Sequence, residues 1–185
     1  SPDGLRMLSV DPNHLEMARV RAVQTGEPIT PPLGAARGDG PSCASFSLDG
    51  RRIVTVSRIG DGTTAQVRIY DSNTGQPLTP PMDCPASGFG TTHIEFSPDG
   101  KRLLAAGGFG TARIWDTATG AVLISALGKP DRAVNIIGDE HVLYGTFSPD
   151  SRLAVILMMT RAQIWDVSTR QPLGPAFETQ PGGGY

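Results

Sequence analysis

The 185-residue chain has only two cysteines and three histidines. Cys43 and Cys84 make neither a Cys-x-x-Cys redox pair nor a zinc-type cluster. They read as two structural thiols, each placed just ahead of an inner strand in successive repeats. His14, His93 and His141 lie in unlike contexts, and no Gly-x-Ser-x-Gly phrase occurs, so nothing supports a hydrolase nucleophile with its base. Charged residues are 18% of the chain and the net charge is −2, with lysines and arginines scattered among acids. A nucleic-acid binder needs a concentrated basic footprint, and that class is set aside. No apolar run approaches the roughly 18 residues that span a bilayer. Helical periodicity is weak throughout.

What the chain does have is glycine (23) and proline (16), set between short apolar segments as turns are. It also repeats itself. Ser1-Pro2-Asp3-Gly4 returns as Ser47-Leu48-Asp49-Gly50, Ser97-Pro98-Asp99-Gly100 and Ser148-Pro149-Asp150-Ser151, with the aspartates 46, 50 and 51 residues apart. A second phrase follows: Val67-Arg68-Ile69-Tyr70-Asp71, Ala112-Arg113-Ile114-Trp115-Asp116 and Ala162-Gln163-Ile164-Trp165-Asp166. A period of this length marks a repeat architecture.

The third unit shows the physics. Thr92–Phe96 alternates apolar and polar, as a half-buried strand does. Pro98-Asp99-Gly100 supplies turn chemistry, because proline presets φ and Asp-Gly tolerates positive φ. Arg102–Ala106 is a second strand, Ala112–Trp115 a third and Ala121–Ile124 a fourth, which makes a four-stranded antiparallel meander. In other units the fourth strand reads Pro28-Ile29-Thr30-Pro31-Pro32-Leu33, Pro77-Leu78-Thr79-Pro80-Pro81-Met82 and Pro172-Leu173-Gly174-Pro175. Proline lacks the amide proton that an interior ladder position needs, so these are outer edge strands. Repeated sheets ending in an outer edge fit the blades of a β-propeller. The expected fold is all-β, with about four blades over residues 1–40, 41–88, 89–138 and 139–178, and a linker or loop at 179–185.

Phe-Ser-Pro-Asp-Gly-Lys before the second strand, with Ile-Trp-Asp closing the third, resembles the WD40 repeat. Trp115-Asp116 and Trp165-Asp166 carry the resemblance best; Tyr70-Asp71 departs slightly and Ala22-Val23-Gln24 further. The family's Gly-His dipeptide is absent, so its buried histidine network is not expected. The resemblance implies a WD40-like propeller, part of a larger ring of about seven blades, and a fragment of a longer bacterial protein. It also implies a non-catalytic docking or sensing scaffold for other proteins, attached in some arrays to a Ser/Thr kinase. A TolB-like or peptidase-associated propeller, and a small-ligand-binding one, are the alternatives. No cofactor, nucleic acid or membrane is expected, and the expected setting is cytoplasmic. Bare terminal blade faces would favour self-association.

Candidate residues are few. Gly60-Asp61-Gly62-Thr63-Thr64-Ala65 matches a dinucleotide fingerprint only in form, since that motif needs a helix after its strand. Asp3, Asp49, Asp99 and Asp150 read as turn residues in preference to metal ligands. Partner contacts are expected on the irregular loops and neighbouring hairpins, through Lys129, Asp131, Arg132, Asp139, His141, Arg58 and Arg161.

Overall fold

The computed structural model describes residues 1–10, 18–34, 41–59, 64–85, 93–107, 111–125, 142–158 and 160–179. Among these every regular element is a strand: β1 (Arg6–Ser9), β2 (Arg19–Ala22), β3 (Pro41–Phe46), β4 (Arg52–Ile59), β5 (Thr64–Asp71), β6 (Met82–Pro85), β7 (His93–Phe96), β8 (Arg102–Gly107), β9 (Thr111–Asp116), β10 (Val122–Ser125), β11 (Val142–Phe147), β12 (Leu153–Met158), β13 (Arg161–Asp166), β14 (Gln171–Pro172) and β15 (Phe177–Glu178). Strands β3–β6 and β7–β10 form two antiparallel meanders in chain order. Strands β11–β13 form a third, with β14 and β15 sharing its outer edge. The first sheet has β1 and β2, extended by single bridges to Pro28 and Leu33. The sheets are called blades 1 to 4.

Alternation along each strand sends one set of side chains to the preceding blade and the other to the next. The apolar core is therefore three seams. Val20, Leu33, Ile53 and Tyr70 fill the seam between blades 1 and 2, and Val54, Val56, Leu103 and Trp115 that between blades 2 and 3. Leu104, Ile114, Ile156 and Phe147 fill the seam between blades 3 and 4. Gly145 lies at a tightly filled point of the seam between blades 3 and 4: a Cβ there would stand 2.9 Å from both Ile156 Cδ1 and Leu104 Cδ2.

The outer strands differ from the expected continuous fourth strand. Pro77 lies opposite Tyr70 and Met82 opposite Val67, so six residues of the edge span four of β5. Prolines at 80 and 81 have no N–H to give, and the edge bulges around them. The carbonyl that should receive the Ile69 N–H is displaced, and the buried Thr79 hydroxyl takes its place at 3.3 Å. Blade 1 repeats the device: Thr30 Oγ1 accepts from Val20 N at 3.2 Å between the bridges at Pro28 and Leu33. In blade 4 the same bulge separates β14 from β15. Thr179 N donates to Thr160 O at 2.7 Å beyond β15, and residues 180–185 of the expected linker lie outside the described residues.

The cysteines also need correcting. Cys43 lies inside the inner strand β3, and Cys84 in the outer strand β6 of the same blade. Neither is in a disulfide. An outer strand that resumes after the bulge reaches further along the chain than an unbroken Pro-Leu-Thr-Pro-Pro-Met strand would.

Candidate interaction surface

Each Ser-x-Asp turn closes on itself. The serine hydroxyl donates to its aspartate in all four copies, at 2.5 Å in the first and 2.6 Å in the others. The same oxygen accepts the N–H at the start of the next strand, from Arg6, Arg52, Arg102 and Leu153. The aspartate accepts the N–H two residues on. The fourth turn position is left-handed, with φ near +70° at Gly4, Gly50 and Gly100 and 62° at Ser151.

The aspartate that ends each third strand is equally committed. Asp71 and Asp116 accept the N–H and hydroxyl of Thr74 and Thr119, and Asp166 those of Ser168 with the N–H of Thr169. Hydrogen bonds given to a carboxylate favour its charged form. The Ser168 hydroxyl and Thr169 N–H hold Asp166 down to about 2, and the Ser1 hydroxyl and Leu5 N–H do the same for Asp3. Asp49 and Asp150 are lowered chiefly by their serines, Asp71 and Asp116 by the Thr74 and Thr119 N–H groups. At Asp99 partial burial opposes the lowering, and Ser97, Lys101 N–H and Arg102 outweigh it. These carboxylates act as turn staples.

An arginine three residues beyond the first three turn aspartates joins neighbouring blades; after Asp150 that position is Leu153. Arg6 Nη1 donates to Ser72 Oγ and Asn73 Oδ1, both at 2.8 Å, and its Nη2 to Gly50 O at 3.0 Å. Its guanidinium lies 5.8 Å from the Phe46 ring centre. Arg52 repeats this one blade on, with Nη1 3.0 Å from Thr117 Oγ1 and its guanidinium 5.2 Å from the Phe96 centre. Arg102 reaches Ser151 O at 3.2 Å, while Asp99 N donates to Ser151 Oγ at 2.9 Å. This ladder was missed in the sequence, although its signal, Ser-x-Asp-Gly-x-Arg, was present.

The turns and the ladder occupy one end of the stack. Of the expected partner residues, Arg161 begins β13 at the opposite end and is exposed. Arg58 stands in β4 opposite Ala65, near the second-to-third strand connection of blade 2, and its side chain lies outside the described residues. Lys129, Asp131, Arg132, Asp139 and His141 all lie outside the described residues. The strands around Gly60–Thr63 are antiparallel partners (Ile59 opposite Thr64), which removes the helix a dinucleotide fingerprint needs.

Near the inner edge, His93 Nε2 is 3.3 Å from Glu95 Oε2 and its ring centre is 4.3 Å from that of Tyr144. Glu95 Oε1 accepts the Phe147 N–H at 2.7 Å. These groups tie blade 3 to blade 4, while Ile94 and Phe96, on the other face of β7, pack into the seam with blade 2. Trp165 Nε1 is enclosed without a hydrogen-bond partner among the described residues. No described helix is long and apolar enough to cross a membrane.

No protein-family model matches the chain. Among curated proteins it is similar to WD repeat-containing protein 1 of Gallus gallus, 38% identical over 82 residues, or 44% of this chain. The Mus musculus protein of that name is 37% identical and the Xenopus tropicalis protein 32% over the same length. The matched segment is 13% of the length of each relative. Among solved structures, the computationally designed Ika8 protein superposes with a TM-score of 0.64 at 21% identity. That alignment covers 92% of this chain and 49% of that one. Four-stranded meanders stacked through apolar seams, closed by Ser-x-Asp turns and Trp-Asp strand ends, make this an all-β chain folded as β-propeller blades, similar over part of its length to WD repeat-containing proteins.

Proposed function

We propose that the chain is a non-catalytic protein-interaction module, a rigid frame that presents loops and strand ends to partner proteins. One observation carries this reading. At the turn-bearing end, the carboxylates and the three ladder arginines are committed to their own turns and seams. Exposed cations remain beside the turns at Arg51, Lys101 and Arg152; at the other end Arg161 is exposed and β4 carries Arg58, and we assign the partner to that end. Attachment to a Ser/Thr kinase or another signalling domain would make the chain that protein's docking arm. A cytoplasmic setting fits two thiols that are not bridged, with burial pushing the Cys43 thiol up and away from reactivity.

The test is cross-linking and affinity capture from the source cells. The baits are the wild-type chain, an Arg58→Glu/Arg161→Glu variant, and an Arg152→Glu variant altered at the turn-bearing end. A partner kept by wild type and Arg152→Glu but lost by the double variant supports the reading. Equal capture by all three baits, or none by wild type, overturns it.

A further inference from the structure

Blade 2 turns a polar cluster into its seam with blade 1 that the other seams lack. Ile53 and Tyr70 pack against blade 1, whereas Val54, Val56, Val67 and Ile69 pack against blade 3. Strand alternation therefore turns Thr55 and Ser57 of β4, with Gln66 and Arg68 of β5, toward blade 1. Thr55 lies directly opposite Arg68 and Ser57 opposite Gln66, so Ser57 and Arg68 are diagonal neighbours. Thr55 and Ser57 are each 1% exposed. At the same register the seam between blades 2 and 3 carries Ala105 and Gly107, and that between blades 3 and 4 carries Ile156 and Met158. Hydroxyls stand at these positions in one seam only.

Two polar atoms of the cluster are enclosed and have no hydrogen-bond partner among the described residues: Ser57 Oγ and Arg68 Nε. The neighbouring blades show why the arginine is left over. Arg113 holds the register of Arg68 in blade 3, and its Nη1 donates to Asp83 O on the edge of blade 2 at 2.6 Å. Gln163 holds it in blade 4 and donates to Gly174 O of its own edge at 3.1 Å. The carbonyl of blade 1 that matches Asp83 O is Gly34 O, and it is taken. The Tyr70 hydroxyl donates to it at 3.2 Å and accepts the Gly34 N–H at 3.2 Å. Tyr70 stands where blades 3 and 4 have tryptophan, so its hydroxyl displaces Arg68 from the acceptor the seam would offer. Among the described residues no carboxylate makes an ion pair with Arg68, although the exposed Asp83 follows on that face, opposite Gln66.

We propose that this cluster binds a free tetrahedral oxyanion of the size of phosphate or sulfate. The Arg68 guanidinium holds the ion, and the Ser57 and Thr55 hydroxyls are its further donors. A guanidinium offers a planar fork to such an ion, and a hydroxyl rotates to donate where it is needed. Donors on two strands, more than two in number, suit four tetrahedral oxygens better than the two of a carboxylate. Because the hydroxyls are enclosed, the ion is small and free; a phosphate carried on a peptide or a lipid does not reach them. Bound there, it satisfies buried groups that the seam itself leaves unpaired, and the seam gains stability in proportion to the ion's occupancy. The inference is independent of the proposed partner-binding role.

The test is calorimetric titration of the 185-residue chain with inorganic phosphate at neutral pH and fixed ionic strength. Circular dichroism and thermal melting confirm that each variant keeps its sheet. One phosphate per chain is expected, saturating below about 10 mM. Arg68→Met should weaken binding about tenfold or more, and Ser57→Ala about threefold or more. Tyr70→Phe removes no donor from the site but returns Gly34 O to Arg68, so it too should weaken binding. Arg113→Met, whose arginine is already bonded in its own seam, should bind as the wild type does. A wild-type chain that takes up no phosphate at about 10 mM leaves water as the occupant and overturns the proposal. So does an Arg68→Met, Ser57→Ala or Tyr70→Phe variant that binds as the wild type does. Equal binding of a phosphoserine peptide would place the ion on the open surface and overturn it as well.

Discussion

Replacing Arg52 by alanine removes two separable contacts across the seam between blades 2 and 3. One is the charge-assisted hydrogen bond to Thr117 Oγ1 at 3.0 Å; the other is the guanidinium 5.2 Å from the Phe96 centre. Hydrogen bonds from charged groups contribute about 1.5–3 kcal/mol. A cation over an aromatic ring at a partly exposed site adds about 0.5–1 kcal/mol. Arg52 is half-buried, so solvent takes part of each, and a loss of about 2 kcal/mol is expected. For a domain of this size that lowers Tm by about 4–8 °C. The assay is thermal and urea unfolding of wild type, Arg52→Ala, Thr117→Ala and the double variant. A coupling of about 1 kcal/mol should appear in the cycle. Arg51→Ala, one residue away and exposed, should stay within about 0.5 kcal/mol of wild type. If Arg52→Ala costs no more than Arg51→Ala, or the cycle shows no coupling, the ladder does not hold the blades together.

Gly145→Ala should destabilise by about 1–3 kcal/mol, read by urea unfolding, because its methyl meets Ile156, Leu104 and Ala106 in a filled seam. Thr79→Val keeps the shape of a buried side chain but strands the Ile69 N–H, so a loss of about 1–2 kcal/mol is expected, with faster hydrogen exchange at Ile69. Acid should destabilise the fold in a defined window. The turn aspartates sit below their ordinary value of 3.8, and for Asp3 and Asp166 as low as about 2, so their contribution is fully present above about pH 4. It is lost as pH falls through about 2; a Tm unchanged between pH 5 and pH 2 would refute the staple role.

Much of the fold was legible because its signals are local. Ser-x-Asp-Gly needs only neighbouring atoms to form its turn, and Ile-Trp-Asp ends a strand with the aspartate bonded two and three residues on. Strand order followed from these phrases, and β7 to β10 lie within a residue or two of their expected positions. The outer strands were less legible. Proline shows that a ladder cannot continue, but not that a threonine hydroxyl will bridge the gap, which depends on how the edge bulges. That bulge also moved Cys84 onto β6. The arginine ladder recurs in sequence at Arg6, Arg52 and Arg102, yet its partners Ser72, Thr117 and Ser151 stand some 50 to 66 positions away. Only the stacking of sheets makes them neighbours. Of the expected partner residues, Arg161 is exposed at the end opposite the ladder.

The bulged outer edges have a consequence for how such sheets avoid one another. An edge strand with free N–H and C=O groups in steady alternation is a template on which a foreign strand adds itself. Here Pro80 and Pro81 offer no N–H, and the bulge breaks the two-residue repeat that an incoming strand would have to match. Growth by strand addition is closed off at the rim of blades 1, 2 and 4, where the bulge recurs. At those three rims a contact must rely on side chains, whose identity decides the match. A chain rich in β-structure can in this way crowd its own copies without seeding fibres, and its contacts stay selective.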